Sequence, residues 1–436
     1  MTRSIEQVRS SSVRKVALAS AAGTTIELYD FLIYGTASAV VLPKLFFPAG
    51  NQTVSTLLAF ATFGVGFLVR PLGAAVIGHF GDRVGRRPML VLTLTMTGLC
   101  TALIGTLPSY ASAGLVAPIL LLVLRLLQGF FLGGEQSGAA LMVIEHAPER
   151  HRTWYGGWTF LGSPLGLFLG TAMFSLSTAA SGGDFLSWGW RIPFLASLVL
   201  VAVGIYMRVG IEESPEFREL RNAHQVTKVP LAEVLRTSWG KVLLGVGVNL
   251  GFNAFIFVLV AFVLNYWTAV HHLPQQQVLT ASLVGGAAQV VSILIACRLA
   301  DRVGRTPVML FGAAFIIVFA YPLFWLIDTG SAGLLILALA LAYAGSGVLF
   351  GPMAAYYAVL FEPRLRYSGA AFSYQLGATL GGGLSPLVAT ALLAVDHAKP
   401  WPISLYLVLG GVISALCLLG LRRFPGASSA PGPVTG

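Results

Sequence analysis

Twelve long apolar stretches dominate this 436-residue chain and leave little freedom in what it can fold into. Six lie in the first half, at about 16–43, 53–78, 88–107, 114–144, 153–179 and 190–211, and six in the second, at about 241–268, 277–299, 306–328, 332–360, 366–394 and 402–421. A helix needs roughly 20 such residues to cross a bilayer, and in hydrocarbon only a helix satisfies the backbone of a lone segment. Charged residues make up 10% of the chain, against roughly 25% in soluble domains. The pattern predicts an all-α polytopic membrane protein with twelve transmembrane helices in a lipid bilayer. The first stretch, Val16 to Pro43, is too long for the apolar part of a cleaved signal and reads as a retained helix.

The net charge of +10 would suggest nucleic acid in a soluble protein. Here its placement gives a different answer. Lys44, Arg191 and Lys399 are the basic residues of the odd-numbered loops, and Arg70 and Arg125 lie inside spans. All others fall in the termini and the even-numbered loops, which predicts that both termini are cytoplasmic and that nucleic acid is not a partner. Cys100, Cys297 and Cys417 stand alone in apolar segments, and His79, His146, His151, His271, His272 and His397 sit at loops or span ends without metal-ligand spacing. His271 and His272 read as a solvated loop pair. With no catalytic constellation and no phosphate-cradling glycine pattern, the sequence predicts neither an enzyme nor a metal or cofactor.

A charged phrase occurs twice. GDRVGRRP (Gly81–Pro88) and ADRVGRTP (Ala300–Pro307) each join the second and third spans of one half. EHAPERHR (145–152) and FEPRLR (361–366) likewise close the fourth and tenth spans. Two parallel six-helix halves follow: 1–211 and 241–423, with a central cytoplasmic loop at 212–240 bearing short surface helices and a disordered tail at 424–436. Gly85 and Gly304 suit a tight turn. Orientation alone requires neither the repeated aspartates nor the fixed order of residues. They predict a gating latch of Asp82, Arg83 and Arg86 with Glu145 in the first half, and of Asp301, Arg305 and Glu362 in the second.

GHFGDRVGRRP closely resembles the loop signature of the major facilitator superfamily, and RLLQGF (125–130) its fourth-helix signature. GTTIELYDFLIYGTA (23–37), KLFFP (44–48), LGGE (132–135), EHAPE (145–149), SWGWRIPF (187–194) and EESPEF (212–217) are similar to the metabolite:proton symporter branch, most of all its shikimate-transporter-like members. Other members of that branch carry 2-oxoglutarate, citrate, or proline and betaine. Leu28 and Gln136 stand where the branch commonly has tryptophan. The resemblance implies proton-coupled transport in which the first-helix acid and the fourth-helix arginine take part.

Five ionisable residues sit deep in spans: Glu27, Asp30, Arg70, Arg125 and Glu135. Each costs about 2.5–3.5 kcal/mol at mid-helix, so each needs a partner or a wet cavity. Glu27, Asp30 and Tyr34 share one face of the first helix, as Gln128 and Glu135 do on the fourth. Rise per residue predicts an Asp30–Arg125 neighbourhood near mid-membrane and a Glu27–Arg70–Glu135 neighbourhood nearer the cytoplasm, with snorkelling as the other course open to Arg70. The candidate proton-coupling residues are Asp30, Glu27 and Glu135; a static buried ion pair is the competing role. The candidate substrate contacts are Arg125, Gln128 and Tyr34, with Asn249, Asn253, Tyr374 and Gln375 from the second half, whose polar intramembrane residues are neutral. GSPLG (162–166) permits close helix contact or a kink, and only weakly resembles an exporter pattern; GGG (381–383) reads as a packing element. The sequence thus predicts a monomeric secondary transporter in a bacterial-type plasma membrane, coupling protons to uptake of a small polar organic acid. An exporter of the same fold and a zwitterion or osmolyte symporter are the alternatives.

Overall fold

The computed structural model describes residues 2–48, 51–225, 227, 229–395 and 399–424; of residues 2–12, 52, 53, 164, 265, 269, 275, 394 and 395 it describes the backbone alone. His397 and the tail from 425 onward lie outside the described residues.

Among the described residues twelve helices are long and apolar enough to cross a membrane. They are, in order, Val13–Val40, Val54–Arg83, Arg86–Thr106, Val116–His146, Glu149–Gly189, Arg191–Val209, Trp239–Thr268, Gln276–Val303, Arg305–Ile327, Ala332–Leu360, Pro363–Leu393 and Trp401–Leu421. Large apolar side chains such as Leu115, Val199, Val318 and Leu387 are exposed. That is how a chain looks when lipid, not water, is its solvent. The first helix ends at Val40, and a short turn, Leu42–Leu45, follows it. Π-helical turns interrupt the seventh span at Val258–Phe262 and Tyr266–Val270 and the eleventh at Thr379–Gly383.

The chain forms two compact units. The first comprises Met1–His146 and Trp158–Leu231, the second Ala147–Gly157 and Ala232–Gly436. The turn after the fourth span and the first residues of the fifth are therefore assigned to the second unit, and the central polar segment is divided between the two. That segment carries two short helices, Pro215–Asn222 and Pro230–Thr237. Ser214 caps the first of them by accepting from the Phe217 backbone N–H at 3.0 Å.

Glycine brings the second and fourth spans together. A Cβ on Gly129 would strike the carbonyl of Gly66, and one on Gly66 would come within 2.9 Å of Arg125 Nε. This close approach lets the fourth span carry a guanidinium against the second without opening a void. In the two repeated loops Gly85 (φ +130°) and Gly304 (φ +97°) adopt backbone conformations that L side chains rarely reach, as the tight-turn expectation requires. Gly162 and Gly166 lie against the backbone of the first helix near Ala21 and Thr25, and Gly381 and Gly382 against Leu250 and Phe257. Both small-residue motifs thus sit at helix contacts.

Candidate functional site

Arg125 is buried in the first unit, 3% exposed, on the inward face of the fourth helix. Its guanidinium lies 4.1 Å from the Tyr34 ring centroid and 5.1 Å from that of Phe63. Its Nη1 donates to Gln128 Oε1 at 2.5 Å, one helical turn on. Gln128 Nε2 donates to Thr101 Oγ1 at 2.7 Å, and Thr101 Oγ1 lies 2.9 Å from Asp30 Oδ2. Tyr34 shares a hydrogen bond of 2.8 Å with Thr62. The expected Asp30–Arg125 neighbourhood is present, but a threonine and a glutamine stand between the two charges. Asp30 Oδ1, also buried, accepts no hydrogen bond among the described residues.

The second expected neighbourhood divides into two pairs. Arg70 Nη1 reaches Glu27 Oε1 at 3.6 Å and its guanidinium lies 4.3 Å from the Phe67 centroid. It is buried rather than snorkelling. Glu135 is held instead by Arg208: Nη1 donates to Oε2 at 3.2 Å and Nη2 to Oε1. Thr93 adds a donor to the same carboxylate at 2.5 Å, and Arg208 Nη1 also reaches the Leu90 carbonyl at 2.6 Å. Sequence reasoning missed Arg208 because, one residue from the end of its helix, it passes for an ordinary loop cation obeying the orientation rule. The signal that could have found it is Glu135 itself, a deep acid in want of a cation.

At the 81–88 loop Arg86 is fully buried. Its Nη2 is 3.2 Å from Asp82 Oδ1 and its Nε 3.3 Å from Glu145 Oε2. Nη1 donates to the Gly81 carbonyl at 3.3 Å, and the Phe217 ring covers the guanidinium at 5.1 Å. Glu213, which the sequence did not single out, accepts from the Arg86 and Arg87 backbone N–H groups at 3.1 and 3.2 Å. These N–H groups open the third helix, so the carboxylate sits where the helix dipole favours it. Arg83 is exposed and has no hydrogen bond or ion pair among the described residues; it stands apart from the cluster because it points away from the face that Asp82 and Arg86 share.

The second copy of the phrase is built differently. Asp301 accepts from the backbone N–H groups of Thr153 (3.0 Å) and Trp154 (2.8 Å), and Arg305 Nε donates to Thr153 Oγ1 at 3.0 Å. Arg298 lies over the Trp154 ring at 4.2 Å. Glu362 does not join Asp301 and Arg305. It is solvent-exposed and pairs with Arg364 at 2.9 Å, which also binds Glu233 at 2.9 Å. The expected triad fails here because the 147–157 segment supplies both partners: peptide N–H groups for Asp301, and for Arg305 the Thr153 hydroxyl, where the first copy uses a glutamate.

Also in the second unit, Asn253 Nδ2 donates to Asn249 Oδ1 at 2.8 Å, and Asn249 Nδ2 to the Tyr374 carbonyl at 2.6 Å. Gln375 is fully buried, and neither atom of its amide has a hydrogen-bond partner among the described residues. His271 lies in the loop after the seventh span, partly exposed, and has a partner there: its Nε2 is 3.2 Å from Asp328 Oδ1, which also accepts from Tyr266 Oη at 2.6 Å. Among the described residues no group of three His, Cys, Asp or Glu side chains is placed to hold a metal ion.

Comparison with known proteins gives consistent matches. The family model described as Major Facilitator Superfamily matches residues 31–386 and again 252–435. The chain is 40% identical over 416 residues to the shikimate transporter of Escherichia coli K12, covering 94% of this chain and 95% of that one. It is 32% identical over 432 residues to the proline/betaine transporter of the same strain, covering 95% and 84%. Its fold matches the solved structure of the proton:xylose symporter XylE with a TM-score of 0.74 at 15% identity, covering 95% of this chain and 96% of the other.

Proposed function

The chain belongs to the major facilitator superfamily of secondary transporters, as a multi-pass protein of a bacterial-type plasma membrane and not an enzyme, and from that premise we propose that it takes up a small polar organic acid together with protons. In this reading it works as a monomer by alternating access, with both termini cytoplasmic. Arg125 receives the substrate carboxylate and Asp30 carries the proton.

The observation that carries the reading is the unequal partnering of four buried charges. Glu135 is matched by Arg208 and Glu27 by Arg70. Asp30 has a hydroxyl but no guanidinium in contact, and Arg125 has an amide and two ring faces but no carboxylate within ion-pair distance among the described residues. An ionised carboxylate in such a place is costly unless it is neutralised, and a proton does that. A buried guanidinium without a counter-ion is a receptor for a carboxylate, which it binds in two-pronged fashion. Glu135, compensated by two guanidinium nitrogens and a hydroxyl, serves as a fixed strut, and Glu27 is the intermediate case.

The named substrates of the relatives support the class. Shikimate is a hydroxylated carboxylate, and proline and betaine are carboxylates that also carry a positive nitrogen. A zwitterion is therefore the second reading, using the same Arg125. Export receives no support from the 162–166 motif, whose glycines are occupied by helix packing. The test is transport by purified protein in liposomes under an inward pH gradient, with shikimate and glycine betaine as probes. Accumulation of shikimate that collapses when the gradient is dissipated is the expected result; substrate movement indifferent to the gradient overturns the proposal.

A further inference from the structure

We infer that Thr101 and Gln128 are positioning residues that transmit substrate binding at Arg125 to the proton on Asp30. The inference rests on the roles just proposed for those two charges.

Arg125 and Asp30 are joined by three hydrogen bonds of 2.5, 2.7 and 2.9 Å through two neutral side chains. The chain has a fixed polarity. A guanidinium only donates, so the Gln128 carbonyl accepts; its NH2 group then donates, and the Thr101 oxygen accepts. One proton remains on the Thr101 hydroxyl, and two acceptors compete for it: Asp30 Oδ2 at 2.9 Å and the Thr97 carbonyl at 3.0 Å. The hydroxyl is therefore a two-position switch. It serves Asp30 while that carboxylate is ionised, and turns to Thr97 once the carboxyl holds a proton.

Arg125 biases the switch. While it donates to Gln128, each bond of the chain polarises the next and strengthens donation to the Asp30 carboxylate. A substrate carboxylate that engages Arg125 withdraws that polarisation. The ionised carboxylate then loses support in a buried setting, and a proton takes its place. Substrate and proton thus favour each other's binding, reciprocally, as linkage requires. The other ionisable groups about Asp30 are already engaged. Glu27, one turn away, pairs with Arg70 of the second span, and Tyr29 donates to the Pro193 carbonyl. Cys100 of the third span is a buried thiol, and Arg191 and Arg208 of the sixth span bind the Gly105 and Leu107 carbonyls and Glu135. The fifth span meets the first through Gly162, Gly166 and Gly170.

The experiment compares wild-type protein with Thr101→Val, Thr101→Ala and Thr101→Ser in liposomes, using radiolabelled shikimate or glycine betaine, whichever the wild type exchanges. Exchange without a gradient and accumulation under an inward pH gradient are both measured. Valine matches the shape of threonine and lacks the hydroxyl, so exchange stays near wild type and loses its pH dependence. Accumulation falls by about tenfold or more, within the usual range of a coupling between sites. Serine restores both. Accumulation by Thr101→Val equal to wild type overturns the inference and leaves the proton-coupled reading standing. Equal loss of exchange and accumulation in both Val and Ala variants makes Thr101 a packing residue and overturns it too. If the wild type exchanges neither probe, or exchanges one without responding to the gradient, the proposed function fails and the bridge falls with it.

Discussion

Arg208 grips both carboxylate oxygens of Glu135 across the interior of the first unit, tying the sixth helix to the fourth. Thr93 of the third helix and the Leu90 carbonyl complete the arrangement. Removing one member of such a pair strands the other as a buried charge. Arg208→Met is expected to destabilise the protein by about 3–5 kcal/mol. Glu135→Gln combined with Arg208→Met should recover most of that loss, because no uncompensated charge remains. Thermal unfolding of the purified single and double variants checks this. A double variant no more stable than Arg208→Met would mean that Glu135 does more than anchor the arginine.

Asp30→Asn removes the proposed proton carrier while keeping the shape and an acceptor for Thr101. Exchange should survive and gradient-driven accumulation should not. The sign of the pH effect follows from the proton being a co-substrate. Wild-type uptake should rise as external pH falls, and the Asn variant should show a flat profile over the same range. A pH profile parallel to wild type would assign the proton elsewhere, with Glu27 the next candidate.

Arg125→Gln should weaken substrate affinity by about 1.5–3 kcal/mol, the size of a hydrogen bond to a charged group. Arg125→Lys is expected to rescue little, since an ammonium neither forks onto a carboxylate nor lies flat between Tyr34 and Phe63. Equilibrium binding of the substrate used in the transport assay is the measurement. Lysine restoring wild-type affinity would show that charge alone suffices.

Asp82 and Arg83 are neighbours in sequence with opposite expectations. Asp82→Asn takes a carboxylate from a fully buried Arg86 and should lower the maximal transport rate with little change in half-saturating concentration. Arg83→Ala, at an exposed position, should do neither. Asp301→Ala removes the acceptor of two peptide N–H groups and should cost about 1 kcal/mol, the usual scale for a lost helix cap. Transport kinetics and melting curves of the three variants separate these effects.

How much of this was legible in the sequence depended on whether a residue was unusual where it stood. The twelve spans were readable because water and hydrocarbon demand opposite compositions, and the first cluster because Asp82, Arg86 and Glu145 break an apolar background in a repeated phrase. Arg208 was hidden by lying near a basic loop, and Glu213 by the mixed charges around it. Thr93 and Thr101 gave no signal at all, since threonine is ordinary in membrane helices and its role appears only when a partner from another helix is known. The second copy misled because like sequence was taken for like contacts: Asp301 meets peptide groups brought from residues 153 and 154, a long-range pairing that local pattern does not encode.

The pairing of Glu27 with Arg70 and of Glu135 with Arg208 has an electrical consequence. If each pair stays neutral, the proposed mechanism leaves Asp30 and Arg125, among these deep charges of the first unit, to change partners during transport. One proton moving with one monocarboxylate then carries no net charge, and uptake should be blind to membrane voltage and driven by pH alone. A zwitterion moving with a proton would instead carry a full positive charge and gain about 2.3 kcal/mol for every 100 mV. Voltage sensitivity thus reports which kind of molecule Arg125 holds.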